Sequence, residues 1–475
     1  MAGTTNNATL LRRELLTRLA RLLRESGQER DVDRIPIKMR PKGYGQVSRC
    51  CIYKDRAMLR YKLMALLGFN IEEESDELTP LSEYVRRAFQ RGTLSSKPLT
   101  VVDMACSACV KTNYVVTNIC QGCVGRPCVF SCNKGAIEFR DGRARIDHDK
   151  CVNCGLCQKN CPFHAIVYVP VPCEESCPVG AISKDANGVE HIDYAKCIYC
   201  GRCVSACPFG AVMEKSHLVD LIRAFRKGRQ VVAMVAPAIA GQFKAPFGQI
   251  LGAIRQAGFH DVIEVAKGAD RTTENEAAEF AERMGEGQPF MTTSCCPSFT
   301  TTVYKHIPEL AKYVSHTKTP MAYTAEIARR IYPDAVLVFI GPCLAKRHEA
   351  YVDPNTDYML SFEELSALFD AWEITVEASE TVEIDPEIHS TSRGYPVSGG
   401  VAGAIIQKLN GAVPIVPVAV NGINKASIRE MKGFVKACPG NMIEVMACEG
   451  GCVNGCGVIN NPKIATRLIG DLVRK

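Results

Sequence analysis

Residues 293–299 read Thr-Ser-Cys-Cys-Pro-Ser-Phe and set two cysteines, Cys295 and Cys296, side by side. Structural zinc sites use cysteine pairs separated by two or more residues, so an adjacent pair does not suit one. Neighbouring side chains of an extended backbone point in different directions. We therefore expect one of these thiols to anchor a metal cluster and the other to line a substrate pocket beside it.

Two later stretches carry cysteines in a similar setting. Residues 341–349 read GPCLAKRHE and follow the apolar run 335–340, which predicts a buried strand that delivers Cys343 and Lys346 at its end. Residues 444–457 read EVMACEGGCVNGCG and place two cysteines four residues apart. The glycines of this stretch allow the backbone to approach a bulky group closely.

Together the three stretches resemble the three signature motifs of the iron-only, or FeFe, hydrogenases. They occur in the order typical of that family, and the resemblance covers roughly residues 228–475. The signal is specific because chance would have to supply three motifs rather than one. The resemblance implies a catalytic domain of two α/β lobes with the metal site between them.

Composition restricts the class of protein. With 475 residues, 47% of them hydrophobic, the chain can bury more than one core, and two to four domains are expected. The sequence contains no apolar run of about eighteen residues, so we expect no membrane span. The net charge of +6 is small for this length and does not indicate nucleic-acid binding. No signal-peptide core is visible, so we expect a cytoplasmic protein.

Cysteine is the unusual residue: there are 25, of which 16 lie between Cys106 and Cys207. A Cys-x3-Cys phrase recurs four times in residues 120–213, and three of the repeats follow a Cys-x-x-Cys pair. This resembles tandem bacterial ferredoxin modules, in which three cysteines of one run share a cluster with the fourth cysteine of another. Zinc competes for any single Cys-x-x-Cys pair, and disulfides compete in a secreted chain, but the repeated run favours 4Fe–4S clusters.

Sixteen cysteines supply the ligands of four accessory 4Fe–4S clusters. The expected groups are Cys120, Cys123, Cys128 and Cys161; Cys132, Cys151, Cys154 and Cys157; Cys177, Cys197, Cys200 and Cys203; and Cys106, Cys109, Cys173 and Cys207. The spacing of 36 residues from Cys161 to Cys197 also allows those two runs to pair with each other. In front of a redox domain, the clusters are expected to relay electrons.

The predicted fold is a multidomain α/β chain. It comprises a helical N-terminal region with a linker (1–98), a tandem 4Fe–4S ferredoxin-like domain (99–215) and a two-lobed α/β hydrogenase catalytic domain (216–475). Alternating strands and helices, beginning with a buried strand in 229–240 and a second strand in 261–265, predict a largely parallel sheet with ligands at the carboxyl ends of its strands.

The N-terminal region offers two further predictions. Residues 8–25 carry leucines on one side and arginines on the other, which predicts an amphipathic helix packed on the body, with an organelle transit peptide as the alternative. Residues 71–98 are charged and then contain serine, lysine and proline, which predicts a linker. Cys50 and Cys51 lack partners at ligand spacing, which favours buried or merely free thiols.

The resemblance implies an active site called the H-cluster, a 4Fe–4S cubane joined through a cysteine sulfur to a diiron unit that bears carbonyl, cyanide and a bridging dithiolate. The motifs imply that the cubane would be ligated by four cysteines, Cys296, Cys343, Cys448 and Cys452. The sulfur of Cys452 would be shared with the diiron unit. Cys295 would relay protons instead. A thiol with a pKa of about 8.5 suits that role near neutral pH.

The resemblance also implies which residues would surround the diiron unit. Lys346 would donate a charge-assisted hydrogen bond to a cyanide, although a surface lysine is the alternative. Ala236 and Pro237 would form the backbone wall near the other cyanide. Met446 would pack above the diiron unit.

Glu276 and Glu279 lie at i and i+3 of a predicted helix and so share a face. With Ser315 they match the proton-relay positions of the family, which implies a path from Cys295 through Ser315 and Glu279 to Glu276. Two glutamates on a helix are otherwise usually solvated surface groups.

The chain departs from the better-known family members near this site. Gly341 replaces a methionine, Ser298 and Phe299 replace glycine and tryptophan, and Met321 and Ala322 replace glutamines. Cys456 interrupts the last glycine run. These changes remove apolar cover and a hydrogen-bond donor. They indicate a divergent subgroup. No role follows for Cys438 or Cys456.

We therefore expect a monomeric FeFe hydrogenase that interconverts dihydrogen with protons and electrons. It would exchange electrons with a ferredoxin-like carrier and receive its diiron unit from hydrogenase maturation enzymes. Two alternatives stay open, a hydrogen-sensing regulator with slow turnover and an iron–sulfur electron-transfer or scaffold protein without the diiron unit. Such a scaffold would be expected to lose Cys295 and Lys346, and both are present.

Overall fold

The N-terminal region of the computed structural model is helical. The structure describes residues 6–25, 27–45, 47, 49–74, 76–92, 97–106, 109 and 113–474. The first helices are α1 (Asn7–Leu23), α2 (Ile35–Met39), α3 (Ile52–Leu66) and α4 (Leu81–Gln90), with 3₁₀ turns at Glu29–Arg34 and Ile71–Glu73.

Helix α4 overturns the prediction of a linker at residues 71–98. Its apolar residues Leu81, Tyr84, Val85 and Ala88 are buried and recur at helical spacing, so one face of the helix packs against the body. Two of the charged residues of this stretch, Arg86 and Arg87, are exposed on the helix, whereas most of the acidic ones precede it. Cys50 and Cys51, farther back, are exposed.

Short elements form the cysteine-rich region: β1 (Leu99–Val101), α5 (Asp103–Cys106), β2 (Tyr114–Val116), α6 (Pro127–Phe130), β3 (Ile137–Arg140), β4 (Arg143–Ile146), α7 (Leu156–Asn160), β5 (Ile166–Tyr168), α8 (Pro172–Ser176), β6 (Ile182–Lys184), β7 (Glu190–Ile192), α9 (Arg202–Ala206) and β8 (Val212–Glu214). The strands pair antiparallel as β2–β5, β3–β4, β6–β7 and β1–β8. The last pair joins the two ends of the region. Helix α6 packs on α7 and α8 on α9, as two ferredoxin-like modules require.

The remaining chain alternates helices and strands: α10 (Leu218–Arg226), β9 (Val231–Val235), α11 (Phe247–Gln256), β10 (Asp261–Glu264), α12 (Ala266–Gly285), β11 (Met291–Thr292), α13 (Pro297–His306), α14 (Pro320–Ile331), β12 (Val336–Ile340), α15 (Leu344–Val352), β13 (Tyr358–Leu360), α16 (Phe362–Trp372), α17 (Ser390–Arg393), α18 (Gly400–Leu409), β14 (Pro417–Asn421), α19 (Lys425–Phe434), β15 (Met442–Met446) and α20 (Pro462–Val473). Its 3₁₀ turns are Pro237–Gly241, Pro308–Tyr313, Val376–Ala378 and Cys452–Asn454.

Two parallel sheets organise this half of the chain and confirm the predicted two-lobed α/β fold. One sheet has the order β10-β9-β12-β13, and the other has the order β11-β15-β14. Every residue of β9, β12 and β15 is buried, which explains why these strands are continuous apolar runs in the sequence.

Helix α1 packs onto the C-terminal α/β half, in agreement with the prediction that it packs on the body. Leu15, Leu16 and Leu19 are fully buried, and α1 makes its most extensive contact with α16. At this interface Arg12 and Arg13 form ion pairs with Glu363 of α16.

Within the residues that the structure describes, no helix combines the length and apolar character needed to cross a membrane.

Candidate functional site

The predicted site residues converge at the carboxyl ends of the parallel strands, where ligands of α/β sheets bind. Ala236 follows β9, and Cys343 follows β12, in one sheet. Cys295 lies just beyond β11, and Met446 is the last residue of β15, in the other. Because both sheets present these ends to the same place, the site lies between the lobes.

Four thiols gather at this place, those of Cys296, Cys343, Cys448 and Cys452. Burial and the neighbouring thiols raise the pKa of Cys343 to about 11, and the same two causes raise the pKa of Cys448 and of Cys452. Cys296 and Cys343 each cap the start of a helix, α13 and α15. Four mutually close thiols fit the ligand set of a cubane, whose iron binds them as thiolates.

Lys346 lies one helical turn after Cys343 and is only 12% exposed at its side chain, so it is not a surface lysine. Its Nζ donates to Glu349 Oε2 at 2.8 Å. Glu349 also accepts from the hydroxyl of Thr319, the residue that caps α14. The ammonium group is therefore held by a carboxylate that is itself held in place. A fixed cation of this kind suits an anionic ligand.

Cys295 has different neighbours from Cys296. It packs beside Ala269, Tyr395 and Met446 in an apolar cluster. Burial raises the pKa of the Cys295 thiol well above its usual value, and the nearby Glu276 carboxylate adds to this effect. The thiol therefore stays protonated beside an acidic group with which it can share a proton.

Glu276 is completely buried on α12. Its Oε1 accepts from the amide of Ser294 at 2.9 Å and from the Ser294 hydroxyl at 3.1 Å. Its Oε2 has no hydrogen-bond partner among the described residues. Burial raises the pKa of Glu276 to about 7, against the opposing effect of these hydrogen bonds. A carboxyl group with such a pKa can both take up and release a proton near neutral pH.

Glu279 lies between this buried carboxyl group and the surface. Ser315 donates to Glu279 Oε2 at 2.6 Å, and the amide of His316 donates to Oε1 at 2.9 Å. Burial raises the pKa of Glu279, but these hydrogen bonds and the Arg283 guanidinium bring it below the usual value. The side chain of His316 is 81% exposed and touches the same carboxylate.

These contacts correct the predicted order of the relay residues. Glu276, placed last by the sequence, lies innermost beside Cys295, and Ser315 is close enough to both carboxyl groups to influence each pKa. The structure therefore gives the order Cys295, Glu276, Ser315, Glu279. The helix positions alone could not reveal which glutamate faces inward.

Several polar residues of the site were not singled out from the sequence. Arg283 and Thr317 bind Glu279, and Ser294 binds Glu276. Glu349 stands three residues after Lys346 on α15. The i+4 spacing from Glu279 to Arg283 and the i+3 spacing from Lys346 to Glu349 were available signals, since residues at these spacings are neighbours on a helix.

The departures from the better-known family members have local explanations. A Cβ atom on Gly341 would lie 2.6 Å from the ring of Phe339, so that ring occupies the space of a larger residue at 341. Ser298 donates to the carbonyl of Ile198 at 2.9 Å and thereby ties the catalytic half to the cysteine-rich region. The Cys456 thiol donates to Glu214 Oε1 at 3.2 Å.

The sixteen cysteines of the N-terminal half fall into four groups. Three cavities are each lined by four of them: Cys120, Cys123, Cys128 and Cys161; Cys132, Cys151, Cys154 and Cys157; and Cys177, Cys197, Cys200 and Cys203. Burial raises the pKa of Cys106, Cys109 and Cys173, and the nearby Cys207 adds to this effect in all three, so the four thiols lie close together. The pairing of the Cys161 run with the Cys197 run is not observed.

Each of these groups has the four thiols that a 4Fe–4S cluster needs. No three His, Cys, Asp or Glu side chains in the described ranges form a site for a single metal ion. The fold and its sites define the class: a multidomain iron–sulfur protein with ferredoxin-like modules and an α/β redox domain.

Comparisons with known proteins give the family. Residues 229–456 match the model of the iron-only hydrogenase large subunit, C-terminal domain, and residues 144–167 and 190–213 match that of the 4Fe-4S binding domain. The chain is thus an FeFe-hydrogenase-like protein with ferredoxin-like modules.

Individual relatives are distant. Iron hydrogenase 1 of Clostridium pasteurianum is 28% identical over 392 residues, which are 70% of this chain and 68% of that protein. The cytosolic Fe-S cluster assembly factor NAR1 of Eremothecium gossypii is 24% identical over 264 residues, 42% of this chain and 58% of that protein. A solved structure of the [FeFe]-hydrogenase HydA1 from Chlamydomonas reinhardtii is similar with a TM-score of 0.42 and 20% identity, covering 52% of this chain and 84% of that one.

Proposed function

We propose that this protein is an FeFe hydrogenase that reversibly interconverts dihydrogen with protons and electrons. The observation that carries the proposal is the convergence of Cys295, Lys346 and the four thiols of Cys296, Cys343, Cys448 and Cys452 between the two lobes. A protein that holds only a cubane has no evident need for the first two residues.

The cysteine set would hold the H-cluster cubane, with Cys452 shared with the diiron unit. When bound, the diiron unit supplies the redox chemistry of dihydrogen. Lys346, held by Glu349, would orient a cyanide by a charge-assisted hydrogen bond. Ala236, Pro237 and Met446 are buried and would exclude water from the centre.

Side chains of this protein would carry protons between the site and solvent. Cys295 exchanges a proton with Glu276, whose pKa of about 7 matches a group that is alternately protonated and ionised at neutral pH. Ser315 passes the proton to Glu279 through its 2.6 Å hydrogen bond. Glu279 then exchanges with solvent beside the exposed His316. Each hydroxyl or carboxyl group accepts one proton and releases one.

Four accessory 4Fe–4S clusters would carry the electrons. The group of Cys177, Cys197, Cys200 and Cys203 is next to the catalytic site, because Cys200 contributes to the raised pKa of Cys448. A ferredoxin-like electron carrier would deliver or receive electrons at the accessory clusters, and hydrogenase maturation enzymes would insert the diiron unit.

Infrared spectroscopy of protein produced anaerobically with the maturation enzymes tests the proposal. We expect carbonyl and cyanide bands together with dihydrogen evolution from a reduced dye. Bands with only slow turnover would instead support a hydrogen-sensing regulator. Fully loaded cubanes without these bands would contradict the proposal.

The similarity to a protein named as a cluster assembly factor favours a second candidate, an iron–sulfur scaffold or electron-transfer protein without the diiron unit. In that case Cys295→Ala and Lys346→Ala would change neither cluster content nor function. Loss of dihydrogen turnover in these variants would exclude the scaffold.

A further inference from the structure

Glu276 can accept more hydrogen bonds than the path through Ser315 uses, because each carboxylate oxygen has two lone pairs. Its Oε1 is bound by Ser294, whereas its Oε2 is buried without a hydrogen-bond partner among the described residues. A buried oxygen without a hydrogen-bond partner loses its hydration without compensation, so a native structure retains one for a reason. A proton acceptor needs such a free lone pair.

Tyr395 brings a buried hydroxyl close to Glu276 and packs in the same apolar cluster as Cys295. Its hydroxyl group forms a 2.7 Å hydrogen bond with Thr273 Oγ1, and the Thr273 hydroxyl also donates to the carbonyl of Ala269 at 2.9 Å. Burial raises the pKa of the Tyr395 hydroxyl, and the nearby Glu276 and Cys295 side chains add to this effect. Thr273 and Glu276 are at i and i+3 of α12, so they share one face of the helix.

A cavity of about 360 Å³ opens beside Thr273. Polar side chains line it, among them those of Asp270, Glu274, His389 and Lys408, and Thr273 itself forms part of the wall. The cavity is large enough for several water molecules, each of which finds polar partners there. Thr273 therefore has Tyr395 on one side and a polar cavity on the other.

We propose that Tyr395 and Thr273 form a second proton path, which connects Glu276 to the polar cavity and is separate from the path through Ser315 and Glu279. This inference rests on the proposed function, because it assigns the hydroxyl pair to the same proton-transfer site. It gives Glu276 the role of a branch point with two routes to solvent.

Protons are conserved along the path. A proton leaves the Glu276 carboxyl group for the phenol oxygen of Tyr395 through one bridging water molecule, as the Tyr395 hydroxyl proton passes to Thr273 Oγ1. Thr273 releases its own proton to cavity water. Each group returns to its starting state when its hydroxyl rotates. No electron or co-reactant is needed.

Proton exchange at Cys295 tests this inference without the diiron unit. Cluster-loaded protein made without maturation enzymes is mixed with D₂O, and the S–H stretching band of Cys295 is followed by infrared spectroscopy. Subtraction of the Cys295→Ala spectrum isolates this thiol from the others. The exchange rate of the Cys295 thiol reports only on proton access to this residue. The result is therefore valid whether or not the matured protein proves to be a hydrogenase.

Glu279→Gln first closes the path through Ser315. We expect this variant to keep exchanging the Cys295 proton, and we expect Glu279→Gln combined with Tyr395→Phe to exchange it at least about tenfold more slowly. Phenylalanine keeps the ring that packs beside Cys295 and removes only the hydroxyl. Exchange in the double variant at the rate of Glu279→Gln alone would overturn the proposal.

Threonine variants in the Glu279→Gln background provide an independent test and a matched control. Thr273→Val removes the hydroxyl from the path and should slow exchange as Tyr395→Phe does, whereas Thr273→Ser should preserve it. Thr272 is an equally buried neighbour on α12 whose hydroxyl bonds to the carbonyls of Gly268 and Lys318. Thr272→Val should leave exchange unchanged. Equal effects of Thr272→Val and Thr273→Val would contradict a specific path.

Matured protein separates this inference from the proposed function. If carbonyl and cyanide bands are absent, the proposed function fails while the exchange result remains valid. If the bands are present, we expect Glu279→Gln to retain part of its turnover and Glu279→Gln with Tyr395→Phe to lose at least about tenfold more. Equal turnover of the two variants would exclude the second path during catalysis.

Discussion

Cys295 and Cys296 illustrate how two identical neighbouring side chains acquire different chemistry. Cys296 caps α13 and joins three other thiols, whereas Cys295 faces an apolar cluster and the Glu276 carboxyl group. The difference comes from backbone direction at a strand end. The environment then decides which thiol suits iron and which suits a proton.

Replacing Cys295 and replacing Cys296 should impair different properties, turnover in the first case and cluster binding in the second. We expect Cys295→Ala to keep the iron content and the infrared bands but to lose nearly all dihydrogen turnover, since only a proton-transfer group is removed. Cys296→Ala should lose the catalytic cubane itself. Iron analysis, infrared spectra and dye-linked activity distinguish the two. Normal turnover of Cys295→Ala would show that this thiol is not in the path.

Glu276 should make stability depend on pH. The pKa of Glu276 is about 7 in the folded chain and near 4.5 in the unfolded chain. The contribution of Glu276 to the free energy of unfolding is therefore fully present below about pH 4.5 and is lost as pH rises through 7. Glutamine stays neutral at every pH. The Tm of Glu276→Gln relative to the parent should therefore rise between pH 5 and pH 8 by a few degrees, since the effect is at most about 3 kcal/mol.

The control for this measurement is Glu274→Gln on the same helix, because the Glu274 side chain is largely exposed. This control measures how the loss of a partly exposed carboxylate on α12 affects Tm at each pH. If Glu276→Gln behaves in the same way, Glu276 is not the buried acid described above.

At the scale of elements, α12 carries most of the polar site. Thr273, Glu276, Glu279 and Arg283 lie along its buried side, and each binds a different part of the chain. Helix α11 shows how tightly such helices pack: a Cβ atom on Gly252 would lie 1.8 Å from the carbonyl oxygen of Glu380. The chain after the 3₁₀ turn Val376–Ala378 crosses α11 at that glycine.

Gly252→Ala should therefore destabilise the protein despite the higher helix propensity of alanine. The inserted methyl group forces two backbones apart, and overpacking of this kind typically costs about 1–3 kcal/mol. Thermal unfolding of the cluster-loaded protein measures the effect. Gly403→Ala, within α18 and with nothing near its Cβ position, should instead be neutral or stabilising by up to about 1 kcal/mol. Similar Tm changes for both would contradict the close approach.

The sequence predicted the elements whose patterns are local and missed those that depend on distant contacts. Buried strands such as β9 and β12 are continuous apolar runs, and the cysteine repeats have fixed spacing, so both were predictable. Helix α4 was mistaken for a linker because charged residues on its outer face concealed the buried one. The inward direction of Glu276 depends on Ser294, 18 residues away, and the approach of Tyr395 to Thr273 joins residues 122 positions apart, so neither follows from the local pattern of α12.

At the scale of the whole molecule, the cysteine-rich region and the catalytic half meet at several contacts. Besides Ser298 with Ile198, Tyr199 stacks on His348 with ring centroids 3.9 Å apart. Both contacts lie beside the group of Cys177, Cys197, Cys200 and Cys203. The position of this group favours it as the last accessory cluster before the catalytic site.

Protein reconstituted without maturation enzymes should hold five cubanes, four accessory and one catalytic. Anaerobic iron and sulfide analysis should therefore find about twenty of each per chain, because each 4Fe–4S cluster contributes four. Cys109→Ala should remove one cluster, whereas Cys438→Ala, which changes a thiol outside every group, should remove none. Two or three clusters in the parent protein would contradict the proposed ligand groups.

The contact between α1 and α16 has a consequence for synthesis on the ribosome. Helix α1 ends at Leu23, and α16 begins at Phe362, roughly 340 residues later. At about 5–20 residues per second, the leucine face of α1 waits tens of seconds for its partner. The whole cysteine-rich region emerges during that interval. The nascent chain therefore presents its accessory cysteines to cellular iron–sulfur delivery before the first helix can close onto the completed body.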